Sequence, residues 1–249
     1  MPAVHEFPVS PSPDAPVLAG VHPSVSARRI ESMTEHHVRV ARTARYFTIG
    51  SAGEALRELW FVLHGYGQLA ERFLRSFRGL DDGTRLIVAP EGLSRYYIAG
   101  TNGHVGASWM TKVDRDHEID DYVAFLDAAA GTVLTGVDRS GVRVVLLGFS
   151  QGAATTARWA VRGAIAPDAV VLWGGMLPPE IDPAEAPERL PRLHYVVGTA
   201  DEYRDDEAIA REHERLRSAG IPFSFVEFDG THRIDAAALD RVAAGITSS

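Results

Sequence analysis

A serine between two glycines carries the clearest chemical signal in this chain. The segment Gly148-Phe149-Ser150-Gln151-Gly152 follows an apolar run, residues 142–147, and precedes a run of small residues, 153–161. This order predicts a strand, a sharp turn and a helix, with the Ser150 hydroxyl exposed on a strained turn. Both glycines are needed because a side chain at either position would clash where strand and helix cross. We therefore expect Ser150 to act as a nucleophile.

A serine hydroxyl attacks a carbonyl efficiently only when a base takes its proton. The expected base is a neutral imidazole that a carboxylate holds in one tautomer. Three histidines follow Ser150 in the chain. His194 lies inside a strand-like run, and His213 lies in a helical segment between two glutamates, where we expect it to be solvated. His232 follows a strand and a glycine turn, so we predict it as the base, with a helix-capping histidine as the alternative.

The carboxylate should lie between the serine and the histidine, since the order along the chain for this kind of nucleophile turn is serine, acid, histidine. Asp201 ends a strand directly after a turn of small residues, and we predict it as the acid. Its alternative role is a helix N-cap, where aspartate is favoured. The other acids that stay open are Glu202, Asp205, Asp206 and, more remotely, Glu180.

The oxyanion that forms during acyl transfer requires two fixed N–H donors. One should be the backbone N–H of Gln151, which begins the helix after the nucleophile. The second should come from the loop His64-Gly65-Tyr66-Gly67, whose glycines allow the backbone to turn the Tyr66 N–H inward. Because His64 precedes Ser150, we interpret it as a loop-stabilising residue rather than a catalyst.

Alternating strands and helices must position these residues. The buried runs typical of parallel strands are 59–63, 85–89, 142–147, 169–173 and 193–197, with a last strand at 222–228 and an outer strand at 37–49. Helices are predicted over 69–78, 116–134, 153–161, 206–219 and 233–246, and a long loop over 91–115. We therefore expect an α/β fold with a mostly parallel central sheet covered by helices on both faces. Its functional residues should gather at the carboxyl ends of the strands.

Composition narrows the function classes. The 249 residues are expected to form an extended, proline-rich segment over 1–34 and one domain over 35–249. A net charge of −8 argues against nucleic acid or an anionic membrane as partner. Because cysteine is absent, disulfides, thiolate zinc sites and a cysteine nucleophile are excluded. No signal peptide and no apolar run near the ~20 residues of a membrane span are found, so we expect a cytoplasmic protein.

These motifs together resemble the α/β-hydrolase superfamily, and within it the small phospholipase/carboxylesterase group that includes acyl-protein thioesterases. The resemblance runs from about residue 37 to the C-terminus. It rests on residues 63–67 (LHGYG), 148–152 (GFSQG), 198–201 (GTAD) and 230–232 (GTH). It implies Ser150 as nucleophile, Asp201 and His232 as its partners, and Tyr66 and Gln151 as oxyanion donors. It also implies that no cofactor is used.

Two departures from the family pattern concern the substrate rather than the catalytic triad of Ser150, Asp201 and His232. The family often has aspartate where this chain has Gln68, and a proline-containing segment where it has residues 202–204 (EYR). The segment 108–110 (SWM) resembles the family's tryptophan-containing loop beside the acyl pocket. Trp109 and Met110 are therefore pocket candidates, with a buried loop anchor as the alternative for Trp109. Trp173 is a further pocket candidate, for which core packing is the alternative.

The expected protein is thus a metal-independent serine hydrolase that acts on a small-molecule ester or thioester. The chain has no long insertion that would form a large lid, so we expect an open site and a short to medium acyl group. A non-catalytic binding protein of the same fold is the alternative, although it would need a broken triad. The same fold acting as a lactonase, peptidase or perhydrolase also stays open, as does the oligomeric state.

Overall fold

The computed structural model describes residues 33–135 and 137–247. Residues 33–41 contain no helix or strand, and the compact folded unit begins at Arg42. The predicted extended segment over 1–34 lies outside the described residues except for its last two positions. It stays a prediction, as does the domain boundary at residue 35.

Nine strands are present among the described residues. They are β1 (Tyr46–Ile49), β2 (Glu58–Leu63), β3 (Arg85–Pro90), β4 (Ser94–Tyr97), β5 (Val105–Ser108), β6 (Arg143–Phe149), β7 (Ala169–Trp173), β8 (Leu193–Gly198) and β9 (Phe223–Phe228). Seven of them form one sheet in the order β1-β3-β2-β6-β7-β8-β9. Within this sheet only β1 runs antiparallel to its neighbour. The mostly parallel sheet is thereby confirmed, and β4 and β5 form a separate antiparallel hairpin.

The described residues contain five α-helices, four between strands and one after the last strand. They are α1 (Ala70–Leu74), α2 (Arg115–Leu134), α3 (Gln151–Arg162), α4 (Asp206–Ser218) and α5 (Ala236–Thr247). The predicted helix over 69–78 is split, because α1 continues as a 3₁₀ helix over Arg75–Leu80. The last helix begins three residues later than predicted, so His232 lies in the loop before it. No helix within the described ranges is long and apolar enough to cross a bilayer.

Helices cover both faces of the sheet, as expected. All six residues of β2 are buried, and the five that follow Glu58 alternate between two cores. Leu59, Phe61 and Leu63 pack with residues of α2, α3 and α4, whereas Trp60 and Val62 pack with residues of α1 and α5. A strand with a core on each side has no solvent-facing position, which explains its unbroken apolar run.

Two regions differ from the sequence-based expectation. The outer strand was predicted over 37–49, but it begins only at Tyr46. Tyr46 already pairs with Pro90, the last residue of β3, so the residues before it have no strand to pair with. The loop predicted over 91–115 contains the β4–β5 hairpin, whose strands of four residues each are too short to show a clear alternation of apolar and polar positions.

Candidate active site

Ser150 lies on a sharp turn between β6 and α3. Its backbone has φ 55° and ψ −117°, a strained conformation for a residue with a side chain. The flanking glycines allow the close crossing: a Cβ on Gly148 would lie 2.1 Å from the Gly152 oxygen, and a Cβ on Gly152 would lie 2.3 Å from the Leu63 oxygen. The Ser150 N–H donates to the Trp173 oxygen at 2.8 Å, which ties the turn to the end of β7.

His232 and Asp201 meet at the same edge of the sheet. The two atoms His232 Nδ1 and Asp201 Oδ2 are 2.7 Å apart, and both side chains are largely buried. The other carboxylate oxygen, Oδ1, accepts the Tyr203 N–H at 2.9 Å. His232 Nε2 is buried and has no hydrogen-bond partner among the described residues. The Asp201 carboxylate therefore accepts a hydrogen bond from Nδ1, and Nε2 is the ring nitrogen that stays available.

Two contacts place this imidazole beside the serine turn. The ring of Phe149, the residue before Ser150, has its centroid 4.7 Å from that of His232. The consecutive residues Gly174 and Gly175 lie against both: a Cβ on Gly174 would lie 2.8 Å from His232 Cε1, and one on Gly175 would lie 3.1 Å from the backbone carbonyl oxygen of Ser150. Gly174 has φ +60°, so a residue with a side chain would be strained there as well. The sequence showed these glycines at a strand end but gave no sign that they make room for the histidine.

The alternative acids have other partners or positions. Asp205 is the N-cap of α4 and accepts the Ala208 N–H at 2.9 Å, so the capping role considered for Asp201 falls to it. Asp206 pairs with Arg204. Glu180 pairs with Arg158 and Arg115. Glu202 is exposed.

The alternative histidines also lie elsewhere. His194 Nδ1 is 2.6 Å from the Ser224 hydroxyl on the neighbouring strand β9. The prediction that His213 is solvated is wrong. It is half-buried, and its ring lies 4.8 Å from those of Phe223 and Phe225, because α4 packs its inner face on the aromatic residues of β8 and β9.

The loop after β2 lies against the serine turn. A Cβ on Gly65 would lie 3.2 Å from the Ser150 Cβ. The Gly65 N–H donates to Gln68 Oε1, and the Gly67 N–H donates to the Ala107 oxygen on β5, both at 2.9 Å. The Tyr66 N–H between them has no acceptor among the described residues. The Gln151 N–H belongs to the first turn of α3, where amides lack an intrahelical acceptor. Both predicted donors are thus available next to Ser150.

His64 supports this loop from the core, where it is fully buried. Its Nε2 accepts the Gly92 N–H at 2.9 Å, so Nδ1 carries the ring proton and donates to the Gly65 oxygen at 2.8 Å. Burial lowers the pKa of His64, although its bond to Gly65 and the charge of Glu91 act in the opposite direction. The interpretation of His64 as a loop-stabilising residue agrees with these contacts.

Gln151 has a side-chain role that the sequence did not indicate. Its Oε1 accepts the Trp109 N–H at 3.1 Å, and its Nε2 donates to the Met110 oxygen at 2.8 Å. The Ser108–Met110 segment is thereby attached to the start of α3. The sequence offered one signal of this side-chain role. Gln151 in GFSQG is a long polar residue at the start of a helix, and that helix packs against the sheet.

Of the three pocket candidates, the two tryptophans take the alternative roles considered for them, and Met110 stays a candidate. Trp109 is 2% exposed, stacks on His64 at 4.9 Å and donates its Nε1–H to the His64 oxygen, so it is a buried loop anchor rather than a pocket wall. Trp173 is 1% exposed and donates to the Arg233 oxygen, which makes it a core residue. Met110 is half-buried with its sulfur 3.6 Å from Arg158. Large apolar rings at strand and loop ends were buried by neighbouring segments that sequence spacing does not reveal.

Comparisons with known proteins agree with this architecture. A family model described as Phospholipase/Carboxylesterase matches residues 44–248. Esterase PE8 superposes with a TM-score of 0.61 at 19% identity, over 83% of this chain and 99% of that chain. Zea mays acyl-protein thioesterase 2 superposes with a TM-score of 0.62 at 18% identity, also over 83% of this chain and 99% of that chain. The Bacillus cereus carboxylesterase superposes with a TM-score of 0.59 at 15% identity, over 82% of this chain and 94% of that chain. These likenesses confirm the α/β-hydrolase fold, and by the family match the chain belongs to the phospholipase/carboxylesterase family of ester hydrolases.

Proposed function

We propose that this protein is a serine hydrolase that cleaves carboxylic esters or thioesters with short to medium acyl groups through an acyl-enzyme at Ser150. The observation that carries the proposal is the Asp201–His232 pair at 2.7 Å, with a free Nε2 beside the Ser150 turn. An imidazole with one nitrogen held by a carboxylate and the other available is the arrangement that a serine nucleophile requires.

In the acylation step, His232 Nε2 takes the proton of the Ser150 hydroxyl as Oγ bonds to the substrate carbonyl carbon. The carbonyl oxygen becomes an oxyanion, which the N–H groups of Tyr66 and Gln151 stabilise. The bond between the carbonyl carbon and the alcohol oxygen, or the thiol sulfur, then breaks. His232 Nε2 returns its proton to that leaving atom, so a neutral alcohol or thiol departs and an ester remains on Ser150.

In the deacylation step, water takes the place of the leaving group. His232 Nε2 accepts a proton from the water while its oxygen bonds to the acyl carbon. The same two N–H groups stabilise the second oxyanion. The bond to Ser150 Oγ breaks, Oγ regains a proton from His232, and a carboxylic acid is released. Every group named in these steps belongs to the chain, to the substrate or to water.

A fluorophosphonate probe and a chromogenic ester test the proposal together. We expect the probe to label the wild type at Ser150. We expect Ser150→Ala to lose labelling and to hydrolyse p-nitrophenyl butyrate about 10⁴-fold or more slowly. Ser218→Ala, at an exposed serine of α4, is the matched control and should keep full activity. Equal turnover by Ser150→Ala, or a wild type that neither labels nor turns over, would refute the proposal and favour a binding protein of this fold.

A further inference from the structure

A small cleft opens beside Asp201, between the carboxyl ends of β7 and β8 and helix α4. Its volume is about 60 Å³. Gly174 and Gly175 belong to its lining. Its apolar lining includes the side chains of Met176, Val197, Tyr203, Ile209 and Phe225. The cleft therefore offers an apolar space that borders directly on Gly174 and Gly175, which lie against the His232 ring and the Ser150 backbone.

Tyr203 is shared between this cleft and the candidate triad. Its side chain is 74% exposed, and its ring stands edge-on to the His232 ring with the centroids 4.8 Å apart. Its backbone N–H donates to Asp201. The ring is thus held at the boundary between the imidazole and the cleft, although most of its surface has no packing partner in the fold.

The direction of proton transfer indicates which part of a substrate faces this side. The general acid must come within hydrogen-bond distance of the leaving atom to protonate it. The proposed oxyanion donor Tyr66 belongs to the loop that contacts Ser150 through Gly65, whereas Tyr203 contacts the His232 ring. A group that continues from the leaving oxygen or sulfur must therefore pass the His232 ring and meet Tyr203.

We propose that the cleft walled by Tyr203, Met176 and Ile209 is the subsite for the leaving group, and that it selects alcohols or thiols with a small apolar portion. This inference rests on the proposed serine hydrolase function. The volume of the cleft is less than half of the about 150 Å³ that accommodates benzene in an apolar cavity. A short alkyl group fits such a space, and a long chain extends beyond it.

The charges around the cleft argue against a phosphorylated leaving group. Arg204 is the cationic residue of its lining. The guanidinium pairs with Asp206 at 2.5 Å and with Glu227 at 2.7 Å, so its charge is already compensated. Asp205, also in the lining, adds a negative charge. A phosphate would meet this carboxylate without a free cation to bind it.

Two ester series separate the subsites. Ethyl, butyl and octyl acetate vary the leaving group at constant acyl group, and p-nitrophenyl acetate, butyrate and octanoate vary the acyl group at constant leaving group. We expect kcat/KM of the wild type to favour ethyl over octyl acetate. Tyr203→Ala, which removes an exposed wall, should reduce this ratio about five-fold or more, and Ile209→Trp, which fills the cleft, should raise it. Both variants should keep the ranking of the acyl series.

Tyr97→Ala is the matched control, since Tyr97 is an exposed tyrosine on the β4–β5 hairpin and does not line the cleft. A changed acyl ranking in Tyr203→Ala would show that the cleft holds the acyl group and would overturn the inference. Unchanged ratios in both variants would also overturn it. Probe labelling at Ser150 in every variant separates these results from a failure of the serine hydrolase proposal, in which neither the wild type nor the variants would label.

Discussion

His64 fixes the direction of the Gly65–Tyr66 peptide. Its Nδ1–H donates to the Gly65 oxygen at 2.8 Å, and its Nε2 is held by the Gly92 N–H. In a trans peptide the carbonyl and the next N–H point in opposite directions. Because the Gly65 oxygen faces His64, the Tyr66 N–H faces away from the His64 ring.

We therefore expect His64→Phe to lower kcat by about 10²–10³-fold, the usual cost of losing one oxyanion donor, with a much smaller change in KM. The phenyl ring can still stack on Trp109 but cannot hold the Gly65 oxygen. Steady-state kinetics on p-nitrophenyl acetate measures the effect, and His104→Phe, at an exposed histidine, is the control. An unchanged kcat in a folded His64→Phe variant would contradict this role.

Gly65 has no room for a side chain at its contact with the nucleophile. A Cβ there would lie 3.0 Å from Phe149 Cδ1 and 3.2 Å from Ser150 Cβ. Gly65→Ala should therefore shift the loop and lower kcat/KM by about ten-fold or more, since misplacement by about 1 Å costs up to 10²-fold. Gly79→Ala is the matched control because a Cβ there meets nothing within 4 Å. Equal kcat/KM values for the two variants would show that the contact has no catalytic consequence.

Asp201 should act by holding one tautomer of His232. In Asp201→Asn the amide can donate to Nδ1, which would move the ring proton to Nε2 and block its use as a base. A fall in kcat of about 10⁴-fold is expected, as for other triads of this type. Glu202→Gln, at the exposed neighbouring acid that does not line the cleft, should leave kcat unchanged. Comparable losses in both variants would indicate a structural effect on the loop rather than a role in the triad.

The Gln151 side chain should matter for stability. Gln151→Ala keeps the backbone N–H but leaves the Trp109 N–H without its partner, whereas the Met110 oxygen keeps the Ser108 hydroxyl as donor. An unpaired buried polar group costs about 1–3 kcal/mol, so the free energy of unfolding should fall by that order. Urea unfolding measures it. A value within error of the wild type would mean that water replaces the amide at this site.

Stability should decrease when the pH falls from 7.5 to 5.5. Burial lowers the pKa of His64, His194 and His213 from the ordinary value of 6.5. Below pH 6.5 the unfolded chain binds protons that the folded chain does not. The contribution of these three histidines to the free energy of unfolding is therefore present above pH 6.5 and is lost as the pH falls below it. The exposed His117, whose pKa is raised by Asp114, acts in the opposite direction. Urea unfolding at both pH values measures the sum of these histidine contributions, and greater stability at pH 5.5 would contradict the predicted decrease.

The local sequence was sufficient to predict the nucleophile turn and the buried strands. Gly148, Ser150 and Gly152 carry their structural meaning in a short segment, because the crossing of β6 and α3 leaves no space for side chains at the two glycines. An unbroken apolar run such as that of β2 indicates a strand with a core on both faces. Such signals are local, so they need no knowledge of the rest of the fold.

The contacts between distant segments were decided by the tertiary structure. Asp201, Glu202, Asp205 and Asp206 share one short stretch, and only the packing of β8 against β9 brings Asp201 to His232. The burial of Trp109, the solvent exclusion around His213 and the cleft beside Tyr203 likewise arise from segments that meet only after folding. A residue's type and spacing determine what it can do chemically. Its partner is determined by which chain segments pack against it, because burial and hydrogen bonding depend on neighbours in space rather than in sequence.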